Sequence, residues 1–533
     1  MVYNVPRVKV KHTYGYVPSV PADDQIFGYV VECTKGTPGE PVLIRTPEQL
    51  YQEFKVHIDA YFGVGGQALY VSRAACTADN GGAAPVKAVQ FLSDTAATGV
   101  NVIKLVAKQP GSYQITLQVE RNATSGNNII ISEDGYSSEY YIGISGIENL
   151  VNRINRESDI VDAYFAVYET GVGNCTNPSW VKTYDASTYT KCEGTGYLAT
   201  VVAGTVLGSY GTGAVAGSNG TTHSTPAYPG QLPDANAPTA HAEALASLEM
   251  YKLAGVFTTQ VTSTTEATVH AVYLEHVDKM NGAEEHGWRF AVLGAASGAT
   301  KAEILSAAAS HNRETVIYVG QGVIDANEVE YTPTEAVQVV AGKIGAMPYY
   351  EPIWGGRPSK ILGIDQNGSI DKYIIDLVPL PGDTAGTVAT REDIIEYNEK
   401  GVITFVEEID GIRIREGLTT VQNPAETAED ELAVMRIIRH VKYLVYDLSY
   451  EMLGQNITDT FKTDLEENIK SGLEKMKSED KSIIDIPDSG LSAYTVSVAL
   501  VPRTVQKQGK VTVNVSVTPV HAAREIDATV VVM

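Results

Sequence analysis

Cysteine is scarce. Four residues of 533, Cys33, Cys76, Cys175 and Cys192, are scattered with no CxxC pair, which excludes a zinc ribbon or a disulfide scaffold as the basis of the fold. Cys175 and Cys192 stand near enough in sequence to bridge a loop, but free thiols are the expectation. Long apolar runs are missing too. Nothing reaches the roughly 18 residues that a membrane-spanning helix requires, and the nearest stretch, 197–217, is broken throughout by Gly, Ser and Thr; it reads as strands and loops of an exposed subdomain. No apolar leader opens the chain, so the expectation is a protein made and assembled in a cytoplasm, with no direct membrane insertion. Positive charge is in deficit: 40 Lys and Arg face 64 Asp and Glu, a net charge of −24. With no broad basic surface to neutralise phosphates, nucleic acid is not an expected partner. The charge fits a self-repelling component of a particle, and equally an ordinary soluble protein.

Catalytic signatures are also lacking. The best phosphate-loop candidate, residues 294–301 (Gly-Ala-Ala-Ser-Gly-Ala-Thr-Lys), follows a predicted strand and precedes a predicted helix, yet Ala299 and Thr300 separate Gly298 from Lys301. A phosphate loop places its second glycine directly before the lysine, so that backbone N–H groups wrap the anion. Gly63, Gly65 and Gly66 follow a helix and precede a strand, the wrong order for a dinucleotide fingerprint. Asp365, Asn367, Ser369 and Asp376 echo a calcium loop, but Ile370 stands where glycine is needed. Glu275, His276, Asp278, Glu285 and His286 cluster without HExxH spacing and read as the solvated end of a helix. The Asn-x-Thr sites at Asn122, Asn219 and Asn456 carry no meaning without secretion. The expectation is no enzyme, no metal and no cofactor. A nucleotide-dependent α/β enzyme is the alternative kept open by strand–helix alternation.

What the chain has is order. Its length allows roughly two to four domains. Residues 26–32 form a strand and 34–41 a Gly/Pro turn. Thr46 then caps a helix with Pro47 at its first position and Gln49 closing a capping box; Leu50, Tyr51 and Phe54 point inward. Residues 68–73 are a second strand. From 76 to about 240 Gly, Ser, Thr and Asn dominate: 102–106, 113–119, 129–132 and 140–144 read as strands, and only 148–156 as a helix. This is a β-rich insertion, left through the four-proline segment 221–238. Helices over 242–254, 264–281, 301–311 and 332–346 then alternate with strands over 256–259, 289–293 and 316–320, which predicts a largely parallel sheet covered by helices. Asn367-Gly368, between 361–364 and 373–377, and Asp410-Gly411, between 402–406 and 412–415, predict hairpins. Two long helices follow. Residues 428–453 present Leu432, Met435, Val441, Leu444 and Leu448; 458–477 present Phe461, Leu465, Ile469, Leu473 and Met476. Both read as amphipathic.

The termini are unusual. Three runs of strict two-residue alternation close the chain: Tyr494, Val496, Val498, Leu500; Val511, Val513, Val515, Val517; and Ile526, Ala528, Val530, Val532. Such Val-rich alternation means half-buried strands. At the other end Val8 and Val10 alternate with Arg7, Lys9 and Lys11, and Val5 precedes them across Pro6, which confines the segment to an edge or an arm. Pattern alone leaves two readings level: the terminal strands pair within one subunit, or they are lent to neighbours.

Several stretches recur in a telling order. They are Ile26-Phe27-Gly28-Tyr29-Val30-Val31 with its Gly/Pro turn and Val42-Leu43-Ile44; Phe62-Gly63 ahead of 69–73; and Lys108-Gln109-Pro110-Gly111-Ser112-Tyr113 leading into 115–119. Last come 401–405 and Gly411-Ile412-Arg413-Ile414-Arg415-Glu416-Gly417-Leu418-Thr419-Thr420, the most specific stretch. With the paired helices and closing strands, this order resembles the sheath protein of contractile bacteriophage tails and related contractile injection systems. The likeness covers nearly the whole chain and is weakest over 175–238. Gln114-Ile115 replaces the Gly-Asn usual in the family after the aromatic.

Pattern and resemblance together imply an α/β core with a mixed sheet, a β-rich inserted domain and extended terminal strand arms. The division is an arm at 1–21, a core of 22–75 and 241–350, an outer insertion at 76–240 and a hairpin-containing connection at 351–400. A C-terminal core part at 401–519 and an arm at 520–533 complete it. The resemblance implies a structural subunit that stacks as six-fold rings around an inner tail tube and contracts from a metastable extended state. It resolves the terminal strands in favour of exchange. Val5, Arg7, Val8, Lys9 and Val10 at one end, and Ile526, Ala528, Val530 and Val532 at the other, would pair on neighbours; Val511, Val513, Val515 and Val517 would form the receiving strand. Implied partners are further copies of the chain, the inner tube protein, and baseplate and tail terminator proteins. The implied location is the virion tail sheath, assembled in the host bacterial cytoplasm. Lys462, Lys470, Lys475 and Lys477 are candidate tube contacts, and 13–21 and 501–510 candidate hinges.

Overall fold

The apolar run Phe27–Val31 is buried at every residue, and it is an interior strand, third from one edge, of a seven-stranded sheet. In this computed structural model the strand order is Val42–Ile44, Leu69–Arg73, Phe27–Val31, Gly255–Phe257, Phe290–Gly294, Val316–Val319, Val402–Ile403. Every neighbouring pair is parallel except the edge pair of Val42–Ile44 with Leu69–Arg73. Parallel strands covered on both faces need continuous apolar sequence, and the alternation divides each strand between two cores. Tyr29 and Val31 pack into one cluster with Leu50, Phe54, Tyr61, Val337 and Leu432. Val30 packs into the other with Leu248, Tyr273, Ile304 and Tyr397. The structure describes residues 25–75, 86–94, 100–122, 126–133, 138–169, 179–192, 198–209, 214–216, 237–282, 287–353, 362–364, 370–372, 374–384, 386–408, 411–422, 430–478, 493–500 and 511–518. Both terminal arms, and the segments 13–21 and 501–510, lie outside these residues.

Local chemistry sets several helix starts. Thr46 Oγ1 accepts from Gln49 N at the head of Pro47–Phe54. Reciprocal capping boxes open Lys301–His311 at Thr300 and Glu303, Pro333–Ala346 at Thr332 and Glu335, and Arg391–Glu399 at Thr390 and Asp393. The helix expected over 242–254 is instead Ala237–Ser247. It stops early because the buried Arg289 guanidinium takes the carbonyls of Leu248, Glu249 and Tyr251, drawing that segment out of the helical ladder.

Between Leu69–Arg73 and Gly255–Phe257 the chain builds two further sheets. One orders Ser179–Val181, Val161–Glu169, Asn101–Ala107 and Val89–Ser93, with Tyr189–Lys191 also paired to Val161–Glu169; the other orders Val201–Val206, Ile115–Asn122, Gly126–Glu133 and Ser138–Ile144. They share an apolar cluster with the helix Ile147–Glu157 through Leu150, Val151 and Ile154. Cys192 is disulfide-bonded, against the free-thiol expectation, whereas Cys33 is a buried free thiol.

Two connections differ from the sequence reading. Leu362–Ile364 pairs with Ile370–Lys372, while Ile374–Leu377 leaves that hairpin and pairs with Val323–Asp325; this move buries Ile374 and Val323 in the main core. The strand expected over 402–406 is two. Val402–Ile403 is the edge of the core sheet, and Phe405–Glu408 forms a hairpin with Gly411–Ile414. Gln321 fixes the break, since its side-chain oxygen accepts from Phe405 N at 2.8 Å.

The helix expected over 428–453 is Leu432–Tyr450, and its polar side is buried along with its apolar one: every residue from Leu432 to Val445 is buried, including Arg436, Arg439, His440 and Lys442. The second helix, Asp459–Ser478, keeps the predicted pattern. Leu465, Ile469, Leu473 and Met476 are buried, and Phe461 is half-buried.

Candidate assembly surfaces

Tyr494–Leu500 and Val511–Val517 form an antiparallel two-stranded sheet in unbroken register, from Tyr494 opposite Val517 to Leu500 opposite Val511. Its apolar face lies on Asp459–Ser478, where Val496, Val498 and Val517 join Leu465, Ile469 and Met476 in one cluster. The two edges are unlike. The helix runs along Tyr494–Leu500: the Tyr494 hydroxyl donates to Glu474 at 2.5 Å, and the Glu466 carboxylate accepts from the Val498 backbone N–H. Val511–Val517 pairs with no other described strand on its outer side. Val511, Val513 and Val515 stay half-buried, while Thr512, Asn514 and Ser516 face solvent. Among the described residues this edge is open, and its apolar row is still partly wet.

The four lysines of the helix do not share one face. At about 100° per residue, Lys462, Lys470 and Lys477 fall within an arc of roughly 80° beside the hairpin seam, and Lys475 points elsewhere. Lys470 is held by Glu466 at 2.6 Å. Lys462 is half-buried, and Lys475 and Lys477 are exposed.

The cations buried on Leu432–Tyr450 cap carbonyls at distant chain ends. Arg436 donates to Ile344, Met347 and Glu351 oxygens, closing the end of Pro333–Ala346. Arg439 donates to Trp288 and Leu253 oxygens, and the Tyr443 hydroxyl adds a bond to Trp288 at 3.1 Å. The helix is thereby bolted to the ends of the core strands. Sequence reading missed this role; four basic residues within seven positions of an apolar helix were the available signal.

Two groups singled out for chemistry have structural partners. Lys301 ends the loop 294–301, and its ammonium is held by Asp383 at 2.7 Å, Glu396 at 2.7 Å and Asp393. These carboxylates oppose any anion at that helix start, and the Lys301 ammonium holds the Asp393 carboxyl down at about 2. His276 is buried, not solvated. Its Nε2 sits 3.3 Å from Arg289 Nη1, and burial with the adjacent Arg289 charge pushes its imidazole down to about 3. Of the calcium-like set only Asp376 is described, in the strand Ile374–Leu377; Asp365, Asn367 and Ser369 lie outside the described residues, as do Glu285 and His286. Among the described residues, Asp383, Asp393 and Glu396 are the one acidic cluster with metal-like spacing, and Lys301 fills it. No described helix is long and apolar enough to cross a membrane.

No protein-family model matches the chain, and no curated protein sequence matches it. Solved structures do. It is similar to the sheath tail protein of Desulfitobacterium hafniense, with a TM-score of 0.56 and 14% identity over 96% of this chain and 100% of the other. It is equally similar to the sheath tail protein Lin1278 of Listeria innocua, with a TM-score of 0.56 and 13% identity over 97% of this chain and 94% of the other. The resemblance read from the sequence therefore holds at the level of fold: this chain has the fold of sheath tail proteins over nearly its whole length.

Proposed function

We propose that the chain is the structural subunit of a contractile tail sheath. It polymerises as stacked six-fold rings around an inner tube and contracts from a metastable extended state to drive that tube through a host envelope. The observation that carries this reading is the near-complete, two-way coverage between this fold and two sheath tail proteins. The open edge at Val511–Val517 supports the strand-exchange part. A strand carrying Val8 and Val10, or one carrying Ile526, Ala528, Val530 and Val532, would extend the sheet by backbone pairing and cover the half-wet row of Val511, Val513 and Val515. The arms, 1–21 and 520–533, thus link copies. The β-rich module faces outward, and the α/β core with the helices Leu432–Tyr450 and Asp459–Ser478 sits near the tube; Lys462, Lys470 and Lys477 share the arc of the second helix that could meet it, and Lys475 lies on another face. Partners are further copies of the chain, the tube, and baseplate and terminator proteins, met in the host bacterial cytoplasm during assembly and kept in the virion tail. The work of contraction comes from exchanged subunit contacts rather than from nucleotide chemistry; a few kcal/mol per subunit suffices when many switch in sequence.

Negative-stain microscopy of the purified full chain tests the reading. Long tubes of stacked rings are expected, and a chain lacking 521–533 should remain folded and soluble yet form none. A truncated chain that fails to fold would assign the last strand to the subunit's own core.

A further inference from the structure

Glu133 ends the strand Gly126–Glu133 of the β-rich module, and its carboxylate is buried between two lysines of the core. Lys35 Nζ donates to Oε1 at 2.8 Å and to Oε2 at 3.0 Å, and Lys55 Nζ stands 2.8 Å from Oε1. The Glu133 side chain is 1% exposed and those of both lysines 9%. Lys35 also donates to the Gln52 oxygen in the last turn of Pro47–Phe54 and lies over the Tyr113 ring. Lys55 lies over Tyr51. The surrounding seam joins the core turn 33–38 to the module turn 108–113. Arg73 Nη1 donates to both the Gly36 and Pro110 oxygens, Ser112 N to the Thr34 oxygen, and Thr37 Oγ1 to Gln109. Gly111 crosses so close that a Cβ there would lie 1.9 Å from the Thr34 oxygen.

Lys55 adds an independent observation. It is the C-terminal cap of Pro47–Phe54 and adopts φ 60, ψ 35, a left-handed conformation that helix ends normally give to glycine or asparagine. A lysine there carries backbone strain that its fold position does not require; what it provides is an ammonium at Glu133.

We propose that Lys35, Lys55 and Glu133 form a dedicated docking latch that fixes the orientation of the β-rich module on the α/β core. The module and the core then turn as one body. On the sheath reading, which this last step alone rests upon, the latch carries the outer module with the core as subunits exchange neighbours. The seam is polar throughout: backbone contacts, the Arg73 guanidinium, the Thr37–Gln109 bond and one two-cation, one-carboxylate centre, so the module keeps its own core when the seam opens. Removing Glu133 leaves two buried ammonium groups facing each other, a strongly unfavourable state that separation of the surfaces relieves.

The test uses the full chain and needs no assembly. Glu133→Gln and Lys55→Gly are compared by hydrogen exchange and small-angle scattering. Lys55→Gly is the sharper variant, because it removes backbone strain while removing the ammonium. Both should lose amide protection by at least tenfold over 33–38 and 108–113, with protection kept in Phe27–Val31 and Val161–Glu169, and the maximum dimension should grow. The double variant Lys55→Glu with Glu133→Lys restores two cations and one carboxylate and should recover protection. Unchanged protection in both single variants overturns the proposal. So does loss of protection in the core strands, or failure of the charge swap to rescue, since the triad would then be ordinary fold stability or mere shape. None of these outcomes bears on whether the chain forms tubes.

Discussion

Arg439 Nε donates to the Trp288 carbonyl oxygen at 2.6 Å, 151 residues away in sequence. Its Nη2 reaches the Leu253 oxygen at the same distance. Each carbonyl belongs to the segment that enters a core strand, so one guanidinium closes the ends of Gly255–Phe257 and Phe290–Gly294 together. Replacement by methionine keeps the stem packed and strands the Leu253 oxygen, while the Trp288 oxygen keeps the Tyr443 hydroxyl. At about 1–3 kcal/mol for an unsatisfied buried group, Arg439→Met should lose roughly 1–3 kcal/mol, read as a lower urea midpoint with secondary structure intact below the transition. An unchanged midpoint would mean that water replaces the guanidinium.

Acid should destabilise the core through its histidines before it reaches most carboxylates. His270 is buried against His311 and Tyr318 with neither ring nitrogen hydrogen-bonded among the described residues, and burial with the nearby His311 holds it well below its ordinary value. Burial and Arg313 push His311 down to about 4, and burial and Arg289 push His276 down to about 3. In the unfolded chain these groups titrate near ~6.5. Folded values below unfolded ones mean that the unfolded chain binds more protons in between. Stability is therefore complete above ~6.5 and falls as pH drops toward those folded values, by up to about 1.4 kcal/mol per pH unit for each group. The urea midpoint should decline between pH 7 and pH 5, and less steeply in His311→Asn. Asp393, held at about 2, contributes only below that window. A flat midpoint from pH 7 to pH 5 would show that the imidazoles are hydrated.

Lys301 is the cation among three converging carboxylates. The carboxylate oxygens of Asp383, Asp393 and Glu396 lie within 4.8 Å of one another, and the ammonium offsets one of their three charges. Lys301→Ala should lower stability at neutral pH through like-charge repulsion. It should also acquire a dependence absent from the parent: calcium at roughly millimolar concentration raises the variant's Tm and leaves the parent's unchanged. If calcium moves both equally, the effect is general and the three carboxylates do not converge.

The legible parts of this chain were local. Thr46 with Gln49 announces a helix start within four residues, and the apolar run at 26–32 announces a strand. What escaped reading depends on partners far away. Leu432–Tyr450 looks amphipathic because Arg436, Arg439 and Lys442 score as polar, and only the distant carbonyls they cap explain their burial. Ile374–Leu377 sits beside a good turn signal yet pairs with Val323–Asp325, because the core offers Ile374 more burial than a hairpin does. Lys35 and Glu133, 98 residues apart, carry no mark in the sequence at all. The Val511–Val517 alternation was readable, but not that its neighbour's edge would be covered by Glu466 and its own left open.

That asymmetry makes the strand-exchange reading specific to one edge. A chain lacking 520–533, mixed with a synthetic peptide of those residues, should bind it along Val511–Val517. Pairing on an open edge protects the outward amides of the receiving strand while its partner strand, already bonded on one side and shielded by Asp459–Ser478 on the other, changes little. Hydrogen exchange should therefore slow over 511–517 and stay constant over 494–500. A peptide in which Val530 and Val532 are replaced by lysine should bind more weakly, because the half-buried row of Val511, Val513 and Val515 would then meet charge instead of apolar surface. Slowing over 494–500 instead would place the incoming strand on the edge that Glu466 covers, and would require the helix to move aside. No slowing at either strand would remove the C-terminal segment from the linkage between copies.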